Sequence, residues 1–162
     1  MVRVKQRYFL VEIIPSVSQR PLLGELHSSV NERSILRSVR ESVEEIHGDF
    51  GVGATQAGFT IKMFNSKTSV FVLRVRRGPH VLVASALSFV RKIGIMSLTL
   101  KTLHLSGTIR SCLKFLQQYD RQQLIHVLRH HQLSQDQKEK IHESMLKSEQ
   151  KISGETELRE EY

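Results

Sequence analysis

The chain has 162 residues, enough for one domain with a modest core, and 40% of them are hydrophobic. It carries 24 Lys and Arg residues against 16 Asp and Glu residues, and its formal net charge of +8 favours a polyanionic partner such as nucleic acid. A single cysteine excludes an internal disulfide and fits a reducing compartment, while no apolar run is long enough for a membrane span and no secretory signal is expected.

The N-terminal residues predict a strand preceded by a basic arm. Residues 3–14 alternate between two sets of side chains, which predicts that every second residue from Phe9 to Ile13 faces the core. Like charges on an extended arm repel each other and are stabilised by an anionic partner, although a frayed, solvated terminus is the alternative. The arm contains three cations at a spacing of two: Arg3, Lys5 and Arg7.

A first helix is predicted after a loop over residues 15–24. Ser29 and Glu32 have the spacing of a capping box, which predicts a helix over residues 30–47 with Gly48 just past its end. Three further glycines are interpreted as turn and strand-entry residues, because no Lys-Ser/Thr pair follows as in a phosphate-binding loop: Gly51, Gly53 and Gly58.

Two alternating runs, residues 59–64 and 71–76, predict an antiparallel hairpin. Cations on its outward side can contact phosphate and position an RNA, although they read little sequence. A solvated edge or a face covered by a partner protein is the alternative. These outward cations are Lys62, Arg74 and Arg76.

A second helix and a fourth strand follow. Pro79 suits a first helical turn, and the apolar residues 81–90 predict a largely buried helix that Gly94 terminates. Residues 97–105 predict the fourth strand. Its leucines change parity between Leu100 and Leu103, so its inward set stays open and a bulge is one explanation.

The element order β-α-β-β-α-β predicts an α+β, ferredoxin-like fold, in which two helices cover one face of a four-stranded antiparallel sheet. C-terminal helices are expected over residues 108–131 and 134–148. The predicted organisation is a single domain over residues 1–148, with a core over 3–106 and a helical extension over 107–148, followed by a disordered acidic tail over 149–162.

The start of the third predicted helix combines a capping residue with cations. The Thr108 hydroxyl is expected to accept a hydrogen bond from the first turn, and Cys112 lies on the apolar stripe. Arg110 and Lys114 lie on another face. A cation in the first turn opposes the helix dipole, so Arg110 is poorly placed to stabilise the helix itself. The unpaired N–H groups of that turn, together with Arg110 and Lys114, are suited to bind a phosphate. The alternative is that the two cations form a solvated face.

No catalytic or metal-binding residue is expected. The third strand lacks the aromatic signature of RNA-recognition modules and only Tyr8 is an outward aromatic, which disfavours a base-stacking site. His126 and His130 have helical spacing but lack further ligands. His104 lies near Cys112 in the sequence, but no acid is evident that would orient it for nucleophilic catalysis.

Five blocks of the sequence carry a family resemblance. They read MVRVKQRYFLVEI, IHGDFG, GFTIKMFN, VFVLRVRR and SGTIRSCLKFLQQYDRQQL. In this order they resemble the Pop-five protein subunit of ribonuclease P and ribonuclease MRP. The likeness covers most of residues 1–130 and fades over residues 15–23 and after residue 131.

The resemblance implies a non-catalytic subunit that binds and positions the catalytic RNA. Ribonuclease P removes the 5′ leader of precursor tRNA, and ribonuclease MRP acts in ribosomal RNA processing. The resemblance further implies that the protein binds no cofactor of its own and that Mg²⁺ serves the RNA. It also implies other protein subunits as partners, especially one with a TIM-barrel-like fold, and residence in the nucleus and nucleolus. A protein–protein adaptor with incidental basic charge and a small acylphosphatase-like hydrolase remain the alternatives.

Overall fold

A computed structural model describes residues 4–16 and 30–130, with side chains up to residue 126. Arg3, residues 17–29, and the predicted helix and tail beyond residue 130 lie outside this part. Residue contacts divide the chain into two compact units, Met1–Cys112 and Leu113–Tyr162. Within the described residues, no helix is both long and apolar enough to cross a membrane.

The described residues form an α+β structure of five strands and three helices. In chain order they are β1 (Gln6–Pro15), α1 (Glu32–Gln56), β2 (Thr60–Asn65), β3 (Val70–Arg76), α2 (His80–Leu87), β4 (Lys92–Ile93), β5 (Met96–Ser106) and α3 (Ile109–His130).

The strands form one antiparallel sheet in the order β2-β3-β1-β5-β4. The prediction of four strands is therefore wrong, because the two-residue strand β4 adds a fifth. The predicted pairing of the first strand with the last long strand is confirmed. Tyr8 on β1 lies opposite Arg74 on β3 and opposite Ser106 on β5, so the start of β1 meets the ends of both neighbours.

The core lies between the sheet and the helices α1 and α2. The predicted inward residues Phe9, Val11 and Ile13 are each at most 3% exposed, which confirms the period-two pattern of β1. Burial of a side chain of this kind contributes about 1.5–3 kcal/mol. The core residues on β3 and α1 are Phe71, Leu73, Val75, Ile35, Val39 and Val43.

A bulge explains the change of leucine parity in β5. Thr102 pairs with Val11 and His104 pairs with Leu10, so Leu103 is the extra residue between them. The core-facing set therefore includes Leu98 and Leu100, which are 3% and 4% exposed. Beyond the bulge the odd-numbered residues face the core side of the sheet. Leu105, which lies opposite Phe9, is on that side but is 42% exposed.

A second irregularity, in β2, interrupts the alternation expected there. The register shifts between Ile61 and Met63, and Phe64 comes to lie opposite the buried Phe71. Phe64 consequently packs against the core, and Lys62 is the exposed extra residue of the bulge.

The capping residue of α1 differs from the prediction. The Asn31 Oδ1 atom accepts a hydrogen bond from the Ser34 N–H at 2.8 Å, and the Ser34 Oγ atom accepts one from the Asn31 N–H at 3.0 Å. The capping box therefore uses Asn31 and Ser34, and the predicted pair of Ser29 and Glu32 is wrong. Asparagine is among the strongest capping residues, and the preceding Val30 is buried.

The glycines after residue 47 have different roles. Gly48 has φ +60° and interrupts α1, so the predicted end of the regular helix is confirmed. Helical structure nevertheless resumes up to Gln56, so the interpretation of Gly51 and Gly53 as turn residues is wrong. Gly58, with φ +82°, does lie in the turn before β2.

Helix α2 is shorter than predicted because it ends at Leu87. The chain then turns so that Val90 and Ile93 are buried, with 3% and 0% exposure. Gly94 has φ +59° and forms the tight turn between β4 and β5 rather than the end of a helix.

We predict opposite effects for alanine at the two helical glycines. A Cβ atom on Gly51 would lie 2.5 Å from the His47 Cβ atom, so Gly51→Ala should destabilise the fold by about 1–3 kcal/mol through overpacking. Gly53 has no atom within 4 Å of such a Cβ, so Gly53→Ala should stabilise the helix by about 0.5–1 kcal/mol. Urea unfolding of both variants measures the difference, and equal stabilities would contradict the close packing at Gly51.

Candidate nucleic-acid interface

The end of the sheet at which β1 begins concentrates cations. Four segments meet there through the strand register and the helix α3 that follows β5, namely residues 4–8, 57–61, 74–80 and 104–112, and none of them contains Asp or Glu. We call their six cations the basic end: Lys5, Arg7, Arg74, Arg76, Arg77 and Arg110. All six belong to the first compact unit.

Arg7 joins the N-terminal arm to the junction between β5 and α3. Its Nη1 atom lies 3.0 Å from the position that a Cβ atom would take on Gly107, and it donates a hydrogen bond to the Gln6 carbonyl at 3.3 Å. The missing side chain at Gly107 leaves room for the guanidinium. The predicted neighbourhood of the basic arm and the helix start is therefore present in the structure.

The start of α3 offers a capped first turn next to these cations. The Ser111 N–H donates to the Thr108 Oγ1 atom at 3.3 Å, so the predicted cap is confirmed. Arg110 is exposed in the first turn, and Lys114 is exposed one turn further along α3, in the second unit.

The three outward cations of the hairpin lie in different places. Arg76 is exposed opposite Gln6. Arg74 is half-buried opposite Tyr8, on the sheet face that points away from α1 and α2, whereas Lys62 is exposed on the edge strand β2. The structure thus brings six of the nine predicted residues together at one end of the sheet: Lys5, Arg7, Arg74, Arg76, Thr108 and Arg110.

Sequence reasoning missed Arg77 and Gln6. The Arg77 N–H donates to the Lys5 carbonyl at 2.9 Å, which places Arg77 beside the basic arm. Gln6 lies between Lys5 and Arg7 in the first position of β1. The pairing of β1 with β3 is the signal that would have found Arg77. The ladder continues one residue past the end of β3, and this places Arg77 next to Lys5.

Cys112 has the environment of a core residue and not of a nucleophile. It is fully buried, and its Sγ–H donates to the Tyr8 carbonyl at 3.5 Å. Burial raises the pKa of its thiol from 9.0 to about 11, because the thiolate would lose its hydration. Among the described residues, no group of three or more His, Cys, Asp or Glu side chains could hold a metal ion.

A groove of about 390 Å³ lies at the other end of the sheet, between α1 and residues 89–92. Glu41 and Glu45 line one part of it, and Arg91 and Lys92 line another. Large apolar side chains are exposed here, including Phe89 at 58%. This surface combines apolar groups with both signs of charge, in contrast to the basic end.

Comparisons with known proteins agree with one another. A family model described as the Rpp14/Pop5 family matches residues 7–117. The chain is 36% identical to the ribonuclease P/MRP protein subunit POP5 of Bos taurus over 152 residues, which cover 91% of this chain and 85% of that protein. The Homo sapiens protein of the same name is also 36% identical over 152 residues, with 91% and 89% covered.

A chain in a cryo-EM structure of yeast ribonuclease MRP is similar in structure, with a TM-score of 0.46 and 14% sequence identity. The match covers 76% of this chain and 97% of that chain.

We predict that the thiol of Cys112 reacts slowly with iodoacetamide in the native protein. A pKa of about 11 instead of 9.0 lowers the thiolate fraction at pH 8 about a hundredfold, and burial slows the reaction further. The measurement compares alkylation rates at pH 8 in native buffer and in concentrated urea. Equal rates in the two solvents would show that the thiol is accessible and not part of the core.

Proposed function

The chain belongs to the Rpp14/Pop5 family, and on that premise we propose that it is a non-catalytic protein subunit of ribonuclease P and ribonuclease MRP. In this role it contributes to removal of the 5′ leader of precursor tRNA and to ribosomal RNA processing. The family match and the near-full-length similarity to the mammalian POP5 subunits support the proposal.

One structural observation carries the RNA-binding part of the proposal. Six cations, carried by two strands, the residues directly next to them and one helix, converge at the basic end, and the segments that carry them contain no acidic residue. Phosphate groups neutralise such a cluster and release their counterions, which makes the binding strong and dependent on salt. Contacts of this kind position an RNA without reading its sequence.

We also propose that cleavage belongs to the RNA and its Mg²⁺ ions, and that the protein binds no cofactor of its own. The buried thiol of Cys112 supports a structural role for the one cysteine. Nothing in the described part of the chain favours the hydrolase alternative with a specific observation, and the family match disfavours the adaptor with incidental charge.

The proposal extends to protein partners and to location. The exposed apolar residues at the end opposite the basic end suit contact with another subunit, because such groups usually mark protein interfaces. We propose the subunit with a TIM-barrel-like fold as a partner. Residence in the nucleus and nucleolus follows from a role in ribosomal RNA processing.

We further propose that the fold is a five-stranded variant of the ferredoxin-like topology. The four longer strands lie in the order β2-β3-β1-β5, with the first and third strands in the centre. This order and the two helices on one face support the assignment.

We predict that the purified chain, free of RNA, cleaves no precursor tRNA in the presence of Mg²⁺. The same chain, tagged and isolated from cells under native conditions, should bring down a particle that contains ribonuclease P or MRP RNA and releases the 5′ leader. Cleavage by RNA-free protein would contradict the non-catalytic role. Recovery of neither RNA from cells would favour the adaptor instead.

We predict that neutralising exposed cations at the basic end weakens RNA binding and its salt dependence. The triple variant Lys5→Gln, Arg76→Gln, Arg110→Gln should bind many RNA sequences less tightly. Its slope of log affinity against log salt should become less negative by about 0.7–0.9 for each phosphate that the protein no longer neutralises, and so by about two to three in all. Filter binding over a series of salt concentrations measures the slope.

A matched control removes the same charge elsewhere. Arg33, Lys67 and Arg91 are exposed and lie outside the segments of the basic end, so their triple replacement by Gln should leave the slope close to that of the wild type. If the slope falls equally in the two triple variants while both remain folded, net charge and not the basic end determines binding.

A further inference from the structure

Two buried polar atoms near the basic end lack a hydrogen-bond partner among the described residues. They are the Gln6 Oε1 atom, an acceptor, and the Arg74 Nε atom, whose N–H is a donor. Buried polar groups in native proteins are nearly always paired, because an unpaired one is costly. Each exception therefore calls for an explanation.

The two residues are diagonal neighbours on the central strands β1 and β3. Gln6 lies opposite Arg76, and Arg74 lies opposite Tyr8, so both have the parity of Tyr8. Long side chains reach each other across such a diagonal. The free acceptor and the free donor thus belong to one small region of the sheet.

The Gln6 carboxamide lies beside Gly58. A Cβ atom on Gly58 would lie 3.4 Å from Gln6 Oε1, an ordinary contact distance, so the glycine backbone is a close neighbour of this buried oxygen. Gln6 and Arg74 are both half-buried. The terminal torsion of a glutamine side chain is soft, and binding of a ligand here requires that rotation about it exposes the oxygen.

Phosphate satisfies only one of the two atoms. Phosphodiester oxygens accept hydrogen bonds, so they suit the cations and the Arg74 Nε–H, but they offer no hydrogen to the Gln6 oxygen. The RNA backbone has one group that does both, the 2′-hydroxyl, which donates and accepts. A single 2′-hydroxyl can accept from Arg74 Nε–H and donate to Gln6 Oε1.

We propose that Gln6 and Arg74 form a ribose-binding site that recognises a 2′-hydroxyl of the bound RNA. The inference rests on the proposed function, since it assumes that RNA binds at the basic end. It adds selectivity to that surface, because the other cations attract RNA and DNA alike.

RNA fits this site better than a protein partner does. A protein N–H group can also donate to Gln6, but it has to approach among six cations from segments without acidic residues. A polyanion is attracted by the same field. The 2′-hydroxyl is therefore the donor that the surrounding charge brings to the site.

Two variants of the full chain test the proposal. Gln6→Met removes the acceptor and keeps the length of the side chain, while Arg74→Lys keeps the charge and removes the Nε–H. The probes are a mixed-sequence 20-nucleotide single-stranded RNA and the DNA of the same sequence. Gln56→Met, at an exposed position at the end of α1, is the matched control.

We expect the wild type to prefer RNA, and each variant to bind RNA about twofold to tenfold more weakly, the range that one hydrogen bond contributes. The salt slope should stay unchanged because both variants keep the net charge, and the affinity of Gln6→Met for DNA should equal that of the wild type. The melting temperature of both variants should not fall, because each change removes a buried polar atom that lacks a partner in the free protein. Gln56→Met should match the wild type throughout. A second measurement needs no variant. Single 2′-deoxy substitutions along the RNA should reveal a position that lowers wild-type affinity by the same factor, with no further loss in Gln6→Met.

The outcomes separate this inference from the proposed function. Salt-dependent binding with equal affinity for RNA and DNA, or an unchanged preference in the folded variants, overturns the ribose site and assigns the two atoms to a protein contact. Equal losses of affinity for RNA and DNA also overturn it, since they indicate a phosphate contact. Wild-type binding without any salt dependence overturns the proposed RNA-binding function and this inference with it.

Discussion

Strand β1 forms hydrogen-bonded ladders along both of its edges, and the arrangement of the functional surface depends on this. Its inward residues from Phe9 to Ile13 fix the sheet against the helices, because a slip by one residue would turn these apolar side chains away from the core. Its two antiparallel partners both end where β1 begins. A basic arm, the end of β3 and the junction after β5 are brought together as a consequence.

This convergence has an electrostatic cost. Six cations at one end of the sheet repel each other, and the segments that carry them supply no acid to compensate. The first buried residue of β1 is Phe9, two residues after Arg7. The cations therefore lie at the end of the strand ladder and not in its buried middle. The core can therefore hold the charges close together, and a polyanion that binds there relieves the repulsion.

Features of the fold could be predicted from the sequence where a local residue pattern encodes them, and not where they depend on contacts between distant or folded segments. Period-two alternation predicted β1 and the hairpin. The change of parity between Leu100 and Leu103 raised a bulge in β5 as one explanation but left the inward set open. In β2 the adjacent Met63 and Phe64 are both apolar, so no parity revealed its bulge. The frequent glycines around Gly51 suggested a turn. The reason for a glycine there is instead that its backbone packs closely against His47, a constraint that only the folded helix shows.

The candidate site shows the same division. Cations in the arm and at the helix start could be selected from the sequence because charge is visible there. Gln6, in contrast, is neutral and has no motif, and its importance arises from an oxygen that the fold buries without a partner. Charge alone cannot distinguish RNA from DNA, since both present the same phosphates. A neutral acceptor placed among cations therefore gives an RNA-binding subunit its selectivity. The cations attract any nucleic acid, whereas the hydrogen bond to the acceptor requires a 2′-hydroxyl, which DNA lacks.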